Sequence, residues 1–325
     1  MYHKFFILII ISPLILSLPV DETLYKQLKE NAEYEIIDYN ELFQNNSNSN
    51  PKILGQSLEY KLSILEIFQF AETLASLVVD LITLGKLIFQ KADWSCPIPK
   101  KFDYRDEYQT FSVSFEQRKD EPGSAYAAAL ATSYRRARNV KDEKPLSPIT
   151  IMEHFKGDRE INLVDAYSFI HSNGLLQYQC RNKTYCDNCE YDDCASYDET
   201  ITTKATTYKC NEMYAIKGQE EIKKEILANG PVVTSFLFVS DFLYYKKGYY
   251  EFVSGKYLGN HEAVIVGWDE NGWIAQNSFG SVWGDNGFFK VKYDNNIGFG
   301  EIVYASTGFV YFKKVLFAFL IVIIF

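Results

Sequence analysis

Residues 259–289 read GNHEAVIVGWDENGWIAQNSFGSVWGDNGFF, and the pattern of this stretch decides the fold class. Apolar runs at 263–268, 272–276 and 288–293 each have the length of a β-strand, and turns that contain glycine separate them. A series of short strands joined by such turns is typical of an antiparallel sheet or a barrel. The stretch therefore predicts a β-rich half of the molecule.

Helical patterns come earlier in the chain. Residues 124–138 (SAYAAALATSYRRAR) predict a helix with Ser124 as its N-cap, an alanine-rich body and arginines in the last turn. Residues 220–227 predict a second short helix, ended by an Asn-Gly-Pro sequence. Strand patterns at 232–238 and 301–305 complete the β-rich half. The whole pattern predicts an α+β protein in which a helical part precedes a β part.

Several short motifs follow one another in a fixed order along the chain. They are Phe102-Asp103-Tyr104-Arg105, Asn229-Gly230-Pro231-Val232, Ser240-Asp241-Phe242-Leu243, Gly259-Asn260-His261-Glu262-Ala263, Asn277-Ser278 and Trp283-Gly284-Asp285-Asn286-Gly287-Phe288-Phe289. Together they resemble the cathepsin B type of papain-like cysteine peptidase, over roughly residues 97–308. The resemblance implies a two-lobed papain-like fold, with a helical lobe packed on an antiparallel, β-barrel-like lobe.

His261 and Asn277 stand where this family has two of its catalytic residues. The resemblance implies that His261 is the general base and acid, a role that suits imidazole because its pKa lies near neutrality. It implies that Asn277 forms a hydrogen bond with the imidazole and holds its tautomer. Phe279 stands where the family has a tryptophan that shields this hydrogen bond from water.

The nucleophile of the family is missing from its expected position. The family has Gly-Ser-Cys-Trp at the start of its long helix, where the helix dipole stabilises the thiolate. This chain has Gly123-Ser124-Ala125-Tyr126 there. The methyl group of Ala125 can neither attack a carbonyl nor hold a proton, so covalent thiol catalysis is unavailable. Ser124 is not expected to replace the thiol, because the hydroxyl of an N-cap is bonded to backbone N–H groups.

Other parts of the family's site are altered as well. Gln117 is the candidate for the oxyanion-stabilising glutamine, while Lys119 holds the family's spacing from the nucleophile position. The resemblance places the substrate groove at 160–163, where Glu-Ile-Asn-Leu replaces a Cys-Asn-Gly-Gly-like segment. Bulkier side chains at the glycine positions put backbone pairing with a peptide in doubt. His261, Asn277 and Gln117 are therefore predicted to be vestiges of a catalytic site.

Six cysteines, at positions 96, 180, 186, 189, 194 and 210, present two alternatives, disulfides or a metal site. Disulfides are favoured, because the residues between the cysteines are polar and acidic and no histidine lies within the cluster. We therefore predict no cofactor and no metal ion. The resemblance places the cluster where cathepsin B carries its occluding loop, without the histidine pair that gives that loop its carboxyl-docking role.

Apolar segments at both ends predict export and a membrane-associated tail. Residues 1–20 match a signal peptide, with a retained signal anchor as the alternative. Residues 21–95 are predicted to be a pro-region-like helical segment ahead of a papain-like domain at 96–308. The C-terminal tail at 309–325, which is uninterruptedly apolar from Val315 onwards, matches a lipid-anchor signal, a retained membrane-associated tail or a buried terminal strand. The protein is therefore expected in the secretory pathway, and to be extracellular, lysosome-like or membrane-anchored.

The charge balance argues against nucleic acid as a partner. The formal charge is −9, whereas phosphate binding needs a concentrated basic surface. One basic cluster stands out, formed by Arg135, Arg136 and Arg138. We interpret it as the solvated last turn of a helix, where cations suit the helix dipole.

These observations give three hypotheses for the function. The first is a pseudopeptidase that binds a peptide, a peptidase inhibitor or an active peptidase without cleaving it. The second is an active cysteine-type endopeptidase, which would need a nucleophile in place of Ala125. The third is a non-enzymatic surface scaffold or adhesion protein, which the apolar run at 309–325 favours. Turnover assays separate the second from the other two.

Overall fold

The fold is known from a computed structural model, which describes residues 22–37, 89–107, 115–117, 121–139, 145–155, 161–178, 207–307 and 310–312. Several predictions fall outside these residues: the signal peptide, positions 38–88 of the pro-region-like helical segment, Lys119, Glu160, the cysteines at 180, 186, 189 and 194, and the tail from residue 313 onwards. They remain predictions.

Six α-helices form within the described part of the chain. They are α1 (Glu22–Asn31), α2 (Tyr104–Glu107), α3 (Gly123–Asn139), α4 (Ile149–His154), α5 (Leu163–Ser172) and α6 (Gln219–Asn229). A single 3₁₀ segment covers Ser240–Tyr244. The helices predicted at 124–138 and 220–227 are confirmed as α3 and α6, each with slightly wider bounds.

Most β-strands within the described residues lie in the second half of the chain. They are β1 (Glu35–Ile36), β2 (Phe102–Asp103), β3 (Thr207–Lys209), β4 (Tyr214–Lys217), β5 (Val232–Val239), β6 (Tyr245–Lys247), β7 (Tyr249–Tyr250), β8 (Tyr257–Trp268), β9 (Gly272–Gln276), β10 (Phe288–Lys292), β11 (Ile302–Ala305) and β12 (Val310–Phe312). The five strands predicted from sequence correspond to β5, β8, β9, β10 and β11.

The main sheet has eight strands, in the order β4-β11-β5-β8-β9-β10-β7, with β2 also paired to β8. Adjacent strands within this sheet pair antiparallel, except that β10 and β7 pair parallel. Gly267 allows β2 to approach β8, because a Cβ atom on Gly267 would overlap the carbonyl oxygen of Phe102. The predicted, mostly antiparallel sheet is therefore confirmed.

Two hydrophobic clusters match the predicted helical and β lobes. One cluster surrounds α3 and includes Tyr134, Ile170 and Val266. The other lies within the β part and includes Phe242 and Phe289. The alanines of α3 have small side chains and high helix propensity, which lets the helix pack closely on β8. This contact places the start of α3 next to the centre of the sheet.

Two of the three basic residues at the end of α3 are buried and Arg138 is half-buried, so the prediction of a solvated last turn was wrong for Arg135 and Arg136. Arg135 is 1% exposed, and its guanidinium donates a hydrogen bond to Oε1 of Glu225 at 2.7 Å. It also donates to the carbonyl oxygens of Pro231 and Ser306, each at 2.7 Å. Arg136 is fully buried as well. Arg135 is buried because it joins α3 to three distant segments, a role that its own helix pattern does not show.

The N-terminal segment at 22–37 packs on the β lobe. Strand β1 pairs antiparallel with β6, and the ring of Tyr34 lies 5.7 Å from the ring of Tyr245. Leu28 is 1% exposed. Five residues of the segment belong to the same hydrophobic core as the main sheet: Leu24, Tyr25, Leu28, Tyr34 and Ile37. Part of the predicted pro-region is thus built into the fold.

Strand β12 extends the fold beyond residue 308, into the segment predicted to be a tail. It pairs antiparallel with β3, so that Val310 lies opposite Lys209. Among the described residues, no helix is long and apolar enough to cross a membrane.

Candidate active site

His261 and Asn277 meet near the middle of the main sheet. His261 lies within β8, and Asn277 directly follows β9, the strand paired with β8. The Nε2 atom of His261 lies 2.8 Å from Oδ1 of Asn277. Both side chains are buried, with exposures of 4% and 1%. The two residues singled out in the sequence therefore form one hydrogen-bonded pair.

The hydrogen bonds of Asn277 fix the tautomer of the imidazole. The backbone N–H of Ser278 donates to Oδ1 of Asn277 at 2.8 Å, which orients the amide group. Because this oxygen can only accept hydrogen bonds, Nε2 of His261 carries the proton. The lone pair of the neutral imidazole is therefore on Nδ1.

Aromatic rings and burial keep His261 neutral. Phe279 stacks on the imidazole with ring centroids 4.8 Å apart, and Phe238 covers it at 5.3 Å. Burial lowers the pKa of His261 to about 4, and the hydrogen bond to Asn277 opposes this effect only in part. Sequence reasoning missed Phe238, although its alternation with Phe236 in β5 places both rings on the side of the imidazole.

The start of α3 faces the Nδ1 side of the imidazole. A Cβ atom built on Gly123 would lie 3.0 Å from Nδ1 of His261, so the helix backbone comes close at this point. Ala125 lies in the same turn and is fully buried. Its N–H donates to the carbonyl oxygen of Pro122 at 3.2 Å. The residue predicted to hold the nucleophile position thus carries a methyl group inside the core.

Ser124 is not an N-cap, in contrast to the prediction. Helix α3 begins at Gly123, so Ser124 lies inside the first turn. Its hydroxyl donates to the carbonyl oxygen of Ile161, at the segment predicted to line the substrate groove. With 2% exposure and this bond, the hydroxyl connects two parts of the helical lobe and is not presented to a substrate.

The groove segment itself is part of a helix terminus. Asn162 caps α5, and its side chain accepts a hydrogen bond from the N–H of Asp165 at 2.9 Å. Its carbonyl oxygen accepts from the N–H of Ala166 at 3.0 Å, within the helix. The segment predicted to line the substrate groove is therefore the capped N-terminus of a helix.

Gln117 joins the site through Ser278. Its backbone N–H donates to the carbonyl oxygen of Ser278 at 2.7 Å, and the hydroxyl of Ser278 donates to Oε1 of Gln117 at 2.6 Å. Nε2 of Gln117 donates to the carbonyl oxygen of Glu121 at 2.6 Å. The structure thus brings Gln117 next to Asn277, and one N–H of its amide is used within its own loop.

Two cysteines within the described residues are free thiols. Cys96 is exposed and Cys210 is buried, so the prediction of disulfides was wrong for these two. Burial raises the pKa of Cys210 to about 11, which keeps this thiol protonated and unreactive. In the same part of the chain, no group of three histidine, cysteine or acidic side chains is arranged to hold a metal ion.

Comparison with protein-family models decides the classification. The model described as papain family cysteine protease matches residues 98–307, which is more than half of the chain. The chain belongs to the papain family of cysteine proteases. The matched range agrees closely with the extent of 97–308 predicted from the sequence motifs.

Curated relatives of this papain-family chain include two proteins of Caenorhabditis elegans. The gut-specific cysteine proteinase is 44% identical over 101 residues, covering 29% of this chain and 31% of that protein. The cathepsin B-like cysteine proteinase 3 is 41% identical over 96 residues, covering 28% of this chain and 25% of that protein. The chain therefore matches less than a third of the length of these relatives.

Solved structures support the papain fold. The proCathepsin B S9 of Trypanosoma congolense aligns with a TM-score of 0.56 and 22% identity, covering 67% of this chain and 82% of that one. A structure from work on the mite allergens Blo t 1 and Der p 1 aligns with a TM-score of 0.53 and 18% identity, covering 88% and 92% of the two chains.

Proposed function

We propose that this chain is a cathepsin B-like member of the papain family that has lost peptidase activity and binds a peptide, a peptidase inhibitor or another protein. The observation that carries the proposal is Ala125, which is fully buried in the helix turn that faces Nδ1 of His261. A neutral imidazole is a good base for a thiol, but a methyl group has no proton to transfer. The covalent route of the family is therefore closed.

The contact of Gln117 disfavours turnover. Nε2 of Gln117 donates to the carbonyl oxygen of Glu121, whereas oxyanion stabilisation needs donors aimed at the reacting carbonyl. One of the two N–H groups of this amide is therefore unavailable for that role.

Turnover of a fluorogenic dipeptide substrate tests the loss of activity. The full chain is compared with its Ala125→Cys variant, and both carry Cys96→Ser so that the exposed thiol does not react with an epoxide probe. We expect no turnover and no labelling of the alanine form, and labelling of the cysteine form that requires His261. Turnover by the alanine form that His261→Ala abolishes would overturn the proposal.

Binding is tested separately. The full chain is immobilised and exposed to a peptide library, to a papain-family peptidase and to an inhibitor of that class. Saturable binding of one of these supports the binding role. Failure of all three, with the chain recovered in a membrane fraction, would favour the surface-scaffold alternative instead.

A further inference from the structure

The side-chain amide of Gln117 is held from two sides beside the candidate active site. The hydroxyl of Ser278 donates a hydrogen bond to Oε1 of Gln117 at 2.6 Å, and the backbone N–H of Gln117 donates to the carbonyl oxygen of Ser278 at 2.7 Å. These two bonds place the amide next to Asn277. On the other side, Nε2 of Gln117 donates to the carbonyl oxygen of Glu121 at 2.6 Å. The contact with Glu121 therefore draws the donor end of the amide towards its own loop.

Glu121 is in turn tied to α3 by Tyr126. The hydroxyl of Tyr126 donates to Oε2 of Glu121 at 2.6 Å. A hydrogen bond to a carboxylate is roughly twice as strong as one between neutral groups. The ring of Tyr126 is 6% exposed and packs edge-on against Phe115 with ring centroids 5.7 Å apart, so its hydroxyl has a fixed position. Tyr126 therefore holds Glu121, and the carbonyl of Glu121 holds the amide of Gln117.

Tyr126 directly follows Ala125 in the first turn of α3. The family has Gly-Ser-Cys-Trp at this point, so the chain differs from the family pattern at two adjacent residues. Ala125 removes the thiol, and Tyr126 supplies a hydroxyl that binds Glu121. Both changes lie in the same turn of the helix. One affects the nucleophile position, and the other affects the contact that Gln117 makes.

We propose that the hydrogen bond between Tyr126 and Glu121 is a second block on peptidase activity, separate from Ala125. It holds Gln117 onto Glu121, so that a thiol restored at position 125 lacks the full contribution of this oxyanion donor. The inference rests on the proposed function and adds a regulatory contact to the same site. Tyr126 and Glu121 are positioning residues, because they act on the reaction only through Gln117. When their bond is broken, the carbonyl of Glu121 is free to turn away, and Nε2 of Gln117 can donate to the oxyanion instead.

The cysteine form, which carries Ala125→Cys and Cys96→Ser, is the background for the test. Tyr126→Phe removes the hydroxyl, so that the bond to Glu121 is lost while the packing of the ring remains. We expect kcat for the fluorogenic dipeptide to rise about tenfold, a part of the roughly 10²–10³ that one oxyanion donor contributes. KM should stay within about twofold, because such a donor acts mainly in the transition state. Addition of Gln117→Ala should remove the gain.

Substitutions at Glu121 remove the same bond from its other partner. Glu121→Ala removes the acceptor and should give the same rise in kcat, with no further rise when it is combined with Tyr126→Phe. Glu121→Gln keeps an acceptor oxygen and should keep kcat low. Tyr178→Phe is the matched control, because the ring of Tyr178 also packs on Phe115, at 5.4 Å, and within the described residues no hydrogen bond joins its hydroxyl to Glu121. This control should leave kcat unchanged.

Three results would overturn the inference. The first is that neither Tyr126→Phe nor Glu121→Ala raises kcat of the cysteine form. The second is a rise in kcat that persists after Gln117→Ala, since the bond would then act by another route. The third is a change in KM alone, which would indicate a structural role in the cleft. Turnover by the alanine form would instead overturn the proposed function, and it is measured without any change at Tyr126.

Discussion

At the scale of residues, the imidazole of His261 faces the helix turn in which Ala125 holds the predicted nucleophile position. In an active site of this family, an imidazolium and a thiolate stabilise each other, which offsets the burial of both charges. Ala125, at the predicted nucleophile position, offers the charged imidazole no such partner, and burial lowers the pKa of His261 to about 4. The hydrogen bond to Asn277 and the stacking on Phe279 remain. They make the ring a neutral part of the core.

This state of His261 predicts a loss of stability in acid. The folded chain takes up a proton on His261 near pH 4, whereas the unfolded chain does so near pH 6.5, so the free energy of unfolding falls as the pH falls through this window. We expect His261→Gln to reduce this fall by a few kcal/mol at most. Urea unfolding at pH 7, 5.5 and 4 measures the fall in the free energy of unfolding for the parent protein and for His261→Gln. The other histidines are present in both proteins, so a difference between the two falls reports on His261. Equal pH dependence of the two proteins would contradict the prediction.

The contacts of Gln117 predict that restoring the thiol does not restore a full oxyanion site. In the Ala125→Cys background, we expect Gln117→Ala to lower turnover by less than about tenfold, because one of the two N–H groups of its amide is bonded to the carbonyl of Glu121. Removal of a working oxyanion donor lowers kcat by roughly 10²–10³. The test compares kcat of the Ala125→Cys variant with kcat of the variant that carries both Ala125→Cys and Gln117→Ala. A fall of roughly 10²–10³ would show that Gln117 still reaches the oxyanion.

At the scale of elements, α3 organises both lobes. The N-terminal turn of α3 faces His261. Near the other end of the helix, Arg135 donates hydrogen bonds to Glu225 of α6 and to the carbonyl oxygens of Pro231, just before β5, and Ser306, just after β11. A buried ion pair of this kind is strongly destabilising to break, because it leaves a buried charge without compensation. Arg135 therefore holds the position of α3 against the segments that complete the sheet.

This arrangement predicts that Arg135 and Glu225 are coupled. We expect Arg135→Met to lower the free energy of unfolding by about 3–5 kcal/mol, and the double variant with Glu225→Met to recover part of that loss. Arg135→Lys should rescue little, because one ammonium cannot reach Glu225 and both carbonyl groups that the guanidinium contacts. Denaturant unfolding of the parent protein, the single variants Arg135→Met and Glu225→Met and their double variant measures the coupling energy. Additive effects of the two single substitutions would contradict the prediction.

Local patterns predicted α3, α6 and five strands of the main sheet, because the formation of these elements depends on neighbouring residues. The alanine-rich run gave α3, and the runs between glycine turns gave β8, β9 and β10. Burial of Arg135 was not predictable, because its partners lie 90 to 171 residues away in the chain. In the site, the ordered motifs identified His261 and Asn277. The cover by Phe238 and the bond from Ser124 to Ile161 depend on tertiary packing, which no local pattern contains.

At the scale of the whole molecule, the segment at 22–37 belongs to the β lobe. It contributes buried residues to the core, and Lys292 of β10 forms an ion pair with Glu33 at 3.2 Å. The N–H of Ile37 donates to the carbonyl oxygen of Tyr244 at 2.9 Å. Removal of the segment would expose apolar surface on the 3₁₀ segment and β6. The segment therefore contributes to the stability of the papain-like domain.

This docking predicts that the segment stays bound after the chain is cut. A specific protease site replaces the sequence at 45–50, and the cleaved protein is analysed by size exclusion and mass spectrometry. We expect the N-terminal fragment to co-elute with the domain, and Leu28→Asp to release it, because an aspartate buried at that position would cost several kcal/mol. Lys26→Asp, at an exposed position of α1, is the matched control and should retain the fragment. Release of the fragment from the parent protein would show that the segment is a separable leader and not a part of the β lobe.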